Sequence, residues 1–154
     1  MLKSLYKNPE LLRFSIFIVW LINVSGFFGM FSDQKELFLT FTPYAILMSF
    51  ILIFINSKIN QKGFITSILT IAIFGFIIEY LGANYGILFG AYNYGENLGL
   101  KFGNVPLIMA INWILLIIIT GNFSEKVFKN SLASRVIFGS LLMVILDFFI
   151  EVSA

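Results

Sequence analysis

Histidine and cysteine are both missing from these 154 residues, and the two zeros exclude a good deal of chemistry. Ser/His/Asp and Cys/His nucleophiles, zinc fingers, iron–sulfur clusters, His-ligated haem and disulfides all need one or the other. Charge is scarce as well: Asp, Glu, Lys and Arg make up 12% of the chain, about half the share found in a soluble domain. A net charge of +2 is too small to mark a nucleic-acid partner, so the position of each charge matters more than the sum. What remains for chemistry is carboxylates, amides, hydroxyls, Tyr, Trp and Lys/Arg.

The rest of the chain is apolar. Hydrophobic residues make up 59% and the mean hydropathy is +0.95, more apolar surface than one soluble core encloses, and a disordered chain would be polar. The composition belongs in a bilayer, and the length allows a single integral membrane domain over 1–154. Crossing a hydrocarbon core of about 30 Å takes roughly 17–25 helical residues. Runs of that kind lie near 11–31, 37–55, 63–82, 105–121 and 134–151. The expected fold is all-α: a polytopic transmembrane bundle of five helices, with a Gly/Tyr-rich connection between the third and fourth. The first run is too long for a signal-peptide core and lacks a small-x-small cleavage site, so it reads as an anchor. Pro43 is expected to kink or start the second helix, and Pro106 to begin the fourth, where a missing N–H costs nothing.

Basic residues set the expected orientation. Lys3, Lys7, Arg13, Lys58, Lys62, Lys126, Lys129 and Arg135 share one side, against Lys35 and Lys101 on the other. By the positive-inside rule the N-terminus is cytoplasmic and the C-terminus outside. The richness in Asn, Lys, Ile and Phe points to an AT-rich bacterial genome, and so to a bacterial inner membrane.

Acids are distributed the other way. Asp33, Glu36, Glu79, Glu96, Asp147 and Glu151 all fall toward the outer ends of their segments, leaving Glu10 and Glu125 inside. Loop solvation accounts for Asp33, Glu36 and Glu96, but Glu79 and Asp147 sit within apolar sequence. A carboxylate at the bilayer centre costs about 2.5 kcal/mol or more, so such a group pairs, faces a cavity or stays protonated. Asp147 and Glu151 are spaced i, i+4, on one helix face and about 6 Å apart along the axis. For Glu151, reaching headgroup water is an equally simple reading.

The most distinctive stretch runs from Glu79 to Pro106. Four of the six Tyr lie in it, and Gly82, Gly86 and Gly90, then Gly95, Gly99 and Gly103, recur every four residues. That spacing suits close helix approach or a groove where a ligand lies against bare backbone. A belt of interfacial Tyr is ordinary, but Gly, Tyr, Asn and acid together favour a lined site. Asn112 and Trp113 follow on the fourth helix. With no thiol or imidazole at hand, the natural reaction is proton transfer from a carboxylic acid held neutral by apolar surroundings. Protonating an isoprenoid double bond gives a tertiary carbocation, which aromatic faces and a second carboxylate stabilise until water captures it.

The pattern Glu79-x-x-Gly82-x-x-x-Gly86-x-x-Phe89-Gly90-x-Tyr92-x-Tyr94-x-x-x-Leu98-Gly99, then Val105-Pro106 and Asn112-Trp113, resembles the membrane-bound carotenoid biosynthesis proteins typified by the carotenoid 1',2'-hydratases. Leu146-Asp147-x-x-Ile150-Glu151 resembles that family's acidic helix end. The shared motif spans roughly 79–113 and 146–151, with the first two helices alike only as hydrophobic spans. The resemblance implies cofactor-independent hydration of the terminal 1',2' double bond of an acyclic ψ-end. It makes Glu79 and Asp147 candidate acid or charge stabiliser and Glu151 a second acid. The expected substrate-binding residues are Tyr80, Tyr85, Phe89, Tyr92, Tyr94, Asn112 and Trp113, with Gly82, Gly86 and Gly90. No metal or other cofactor is expected. The expected partners are a carotenoid and membrane lipid, with a second copy or another carotenoid enzyme at the level of protein. Family members continue past the second acid with a proline and a further helix, so the sequence resembles a shortened member.

Two other readings stay open at this stage. A carotenoid end-group cyclase begins with the same protonation but lets a second double bond capture the cation. A non-catalytic membrane subunit or carrier would use Glu79 and Asp147 for packing or gating.

Overall fold

A computed structural model describes residues 8–56, 63–87 and 92–153, with side chains through Leu146. Five helices follow in order: α1 (Pro9–Met30), α2 (Lys35–Asn56), α3 (Phe64–Tyr85), α4 (Ile108–Val127) and α5 (Leu132–Ser153). Among the described residues between α3 and α4 lie a 3-10 turn, Glu96–Leu98, and a two-stranded hairpin of β1 (Lys101–Phe102) and β2 (Val105–Pro106). Helices α1 to α4 are each long and apolar enough to cross a membrane, and α5 is apolar from Leu132 to Leu146. This is the all-α transmembrane architecture of an integral membrane protein.

Large apolar side chains cover the outside of these helices. Phe14, Phe17, Trp20, Phe28, Phe74 and Ile137 are all more than half exposed. A soluble surface would not carry so continuous an apolar area, whereas lipid tails cover it without cost. The described residues fall into two compact units divided between Asn112 and Trp113.

In the first unit, α1 starts where the Asn8 side chain accepts from the backbone N–H groups of Glu10 and Leu11, with Pro9 in the first turn. That cap satisfies donors which have no partner inside the helix. A short turn returns the chain into α2, where the Phe38 ring lies against Gly29 in the space a Cβ would occupy. At the far end of this helical hairpin, Asn56 Nδ2 donates to Ser15 Oγ at 2.8 Å and to its own helix at Leu52 O. This buried amide–hydroxyl link joins α1 to α2 where no hydrophobic driving force between helices exists. Pro43 lies inside α2, so the helix begins eight residues before it; starting the helix is not its role.

In the second unit, α4 and α5 approach closely at Gly139, where a Cβ would lie 3.0 Å from Ser124 Oγ. Ser124 is wholly buried and donates its hydroxyl back to Thr120 O, which gives this buried polar group a partner within its own helix. Arg135 ties the turn between them by donating to Phe128 O and Lys129 O and pairing with Glu125 at 3.3 Å. Both carbonyls lie just past Val127, where α4 ends.

Pro106 does not begin α4. It pairs with Lys101 as the second residue of β2, and the helix starts at Ile108. The hairpin turn explains this. Gly103 and Asn104 both have positive φ, 55° and 63°, the signature of a two-residue turn matched to strand twist. Pro106 then closes the ladder, where its lack of an N–H is tolerated on an edge.

Candidate functional site

Glu79 lies six residues before the end of α3, about 9 Å of helix rise, and is 6% exposed. A carboxyl so placed must find partners. It finds them in the connection that follows. Tyr92 Oη donates to Glu79 Oε2 at 2.7 Å, and Tyr94 Oη donates to the same oxygen. The two rings meet edge to face, their centroids 5.4 Å apart. Being two residues apart on an irregular segment, both phenols reach one point from neighbouring positions.

Gly82 makes this approach feasible. It lies on the helix face of Glu79, one turn further on, and a Cβ there would stand 2.6 Å from Tyr92 Oη. The missing side chain is the space the phenol occupies. At this position of the i, i+4 glycine stripe, the close approach is that of Tyr92. Gly86 does something else: in the left-handed conformation at φ 65° it ends α3, returning its N–H to Gly82 O at 2.9 Å. A residue with a Cβ is strained there.

Burial, reinforced by the hydrogen bond and the negative charge of Glu79, pushes the Tyr94 phenol above the usual tyrosine range. Tyr94 therefore remains a hydroxyl donor at every physiological pH. The cluster is a buried carboxylate oxygen held by phenol donors, with the aromatic edges of two rings beside it. Such an arrangement can hold negative charge at a fixed point and present an apolar wall next to it.

The hairpin is fastened to the C-terminal end of α3 just beyond this cluster. Asn84 Nδ2 donates to Gly103 O as well as to Tyr80 O, and Asn104 Nδ2 donates to Asn84 Oδ1 at 3.3 Å. The Tyr80 ring fills the place of a Gly103 side chain, and Phe102 lies 6.2 Å from that ring and 6.4 Å from Phe76. Val105 and Pro106 are fully buried beneath. Lys101 Nζ donates to Tyr94 O at 2.9 Å and pairs with Glu96 at 2.8 Å.

The residues expected from sequence separate as follows. Glu79, Tyr92, Tyr94 and Gly82 form one cluster. Tyr80 supports the hairpin, and Tyr85, 65% exposed, lies 6.3 Å from it ring to ring, outside the cluster. Asn112 and Trp113 are half-buried on α4. Phe89 and Gly90 lie outside the described residues, as do the side chains of Asp147 and Glu151. Sequence reasoning missed Asn84 and Lys101 as site-building residues. The Gly103-Asn104 pair between short apolar runs was the available sign, since it specifies a hairpin that must dock somewhere.

The sequence profile of the family described as carotenoid biosynthesis protein matches residues 36–154, a far wider stretch than the motif at 79–113, and the chain belongs to that family. The match takes in all of α3, α4 and the connection between them. No curated protein and no solved structure matches the chain.

Proposed function

We propose that this protein is an acid-catalysed, cofactor-independent hydratase acting on the terminal 1',2' double bond of an acyclic carotenoid ψ-end, working as one domain in a bacterial inner membrane with its N-terminus cytoplasmic. A carboxylic acid delivers a proton to C2', the double bond supplies the electron pair for the new C–H bond, and a tertiary cation is left at C1'. Water adds to C1' and loses a proton, restoring the acid and leaving a tertiary 1'-hydroxy group. The atoms balance as alkene plus water, and no redox partner is required.

The observation that carries this reading is the buried Glu79 carboxylate held by the Tyr92 and Tyr94 phenols. Its role is to stabilise charge: with phenol hydroxyls donating to Oε2, the carboxylate is oriented to face a developing cation. The rings of Tyr92 and Tyr94 add an aromatic wall beside the carboxylate. Asp147 and Glu151 are the proton-donor candidates, on the sequence argument.

The test is expression of the chain in cells supplied with an acyclic or monocyclic ψ-ended carotenoid, with products resolved by mass. Gain of one water at the ψ-end is the expected result, lost in Glu79→Gln and in whichever of Asp147→Asn or Glu151→Gln removes the donor. An isomer of unchanged mass would replace hydration with cyclisation. Unaltered substrate with all variants alike would leave a carrier or subunit.

A further inference from the structure

We propose that Lys101 is a positioning residue for the Glu79 site, acting through the backbone of Tyr94; the inference rests on the hydratase reading for its consequence in turnover, but not for its geometry. Tyr94 has to present its hydroxyl to Glu79 from a segment with no regular structure, since residues 92–95 belong to no helix or strand. Among the described residues no regular ladder runs through this segment. The Lys101 ammonium holds it from seven residues on, donating to Tyr94 O at 2.9 Å.

The path by which Lys101 is itself held makes this a closed circuit. Lys101 is the first residue of β1, and β1 is locked in register to β2 by the turn at Gly103-Asn104. That turn is fastened to α3 by Asn84 and by the Tyr80 ring. The circuit thus leaves α3 at Asn84, crosses the hairpin to Lys101, passes to the Tyr94 carbonyl, and returns to α3 at Glu79 through the Tyr94 hydroxyl. Hydrogen bonds and the hairpin backbone together close the circuit, so Tyr94 is held both at its carbonyl and at its hydroxyl.

The two partners of Lys101 are unequal. Its side chain is 20% exposed and that of Glu96 is 95% exposed. An ion pair with one partner in water contributes little, whereas a charged donor on a backbone carbonyl, shielded on the lysine side, is the stronger type of bond. The ammonium therefore serves Tyr94 first, and Glu96 is a solvated companion.

The experiment compares Lys101→Met, which keeps the stem and loses the donor, with Lys101→Arg and Glu96→Gln in the full-length chain in detergent or vesicles. Hydration of a ψ-ended carotenoid is followed as kcat and KM, and the Tyr94 phenolate band, identified by subtracting Tyr94→Phe, is followed in alkaline titration. Lys101→Met is expected to lower kcat by about tenfold to a hundredfold, the scale for a misplaced site group, with KM little changed. Its Tyr94 band is expected at lower pH than in the parent chain. Lys101→Arg is expected to restore part of both, and Glu96→Gln to stay within about twofold of the parent, as for an exposed pair. A Met variant with parental kcat and an unmoved band overturns the proposal. So does a loss of activity accompanied by loss of helical circular dichroism that Arg fails to rescue. If the parent chain forms no hydroxylated product, the hydratase reading fails, and the band shift alone decides the role of Lys101.

Discussion

The Tyr92 hydroxyl donates to Glu79 Oε2 at 2.7 Å, joining residues thirteen positions apart. Between them α3 ends, the backbone turns left-handed at Gly86 and the chain doubles back. A buried acid has thus been given partners by the segment immediately following its own helix, which makes the cluster local in sequence though not in secondary structure.

Removing either phenol donor should weaken the fold as well as the site. Tyr92→Phe and Tyr94→Phe are each expected to cost about 1–3 kcal/mol, the range for taking a partner from a buried polar group. The measurement is reversible unfolding in mixed micelles. Because both act on one oxygen, each single variant leaves the other donor in place, and the double variant should cost more than the sum of the singles. Strict additivity would mean that the phenols do not share Oε2 as described.

Gly82→Ala separates site geometry from stability. Alanine favours the helix by about 1 kcal/mol over glycine, yet its Cβ would stand 2.6 Å from Tyr92 Oη. The displaced atom is the end of a side chain, not backbone, so the helix survives and the hydrogen bond to Glu79 gives way. Product formation should drop while the unfolding midpoint stays near that of the parent. In a Tyr92→Phe background the same alanine should do less further harm, because the hydroxyl it displaces is gone. Equal effects in both backgrounds would place the harm elsewhere.

Tyr94 predicts an alkaline limit. An unfolded phenol ionises near pH 10, at roughly the free tyrosine value, and the folded one ionises above that. A folded value raised above the unfolded one contributes stability that is complete below about pH 10 and is lost as pH climbs through the folded value. The slope reaches at most about 1.4 kcal/mol per pH unit for one group. Tyr94→Phe, which cannot ionise, should show a shallower loss above pH 10 in parallel stability measurements. Superimposable alkaline slopes would show that Tyr94 is not held in this way.

The Ser15–Asn56 link gives a control away from the site. Asn56→Leu should lower stability by about 0.6–2 kcal/mol, the measured range for such bonds between membrane helices. The product pattern should be unchanged, since neither residue touches the Glu79 cluster. Loss of product with the fold intact would tie the α1–α2 pair to the chemistry.

Long apolar runs and an almost uncharged composition were enough to determine the membrane class, the five helices and their ends to within three residues, except that α4 runs to Val127, six residues past the expected end. The reason is that a 20-residue apolar run satisfies its backbone only as a helix once water is removed, and this holds whatever surrounds it. The Glu79–Gly82–Tyr92–Tyr94 grouping was legible as well, though only as residues worth watching. Tertiary structure alone decided what each does. Gly82 makes room for a phenol and Gly86 ends a helix, although the two belong to the same i, i+4 series. Pro106 sits in a strand because Gly103-Asn104 folds a hairpin ahead of α4. Asn84 and Lys101 became parts of the site because that hairpin docks on α3. An irregular connection has no periodicity to read, and its path is fixed by which donors and acceptors meet when it closes back on the helix it has just left.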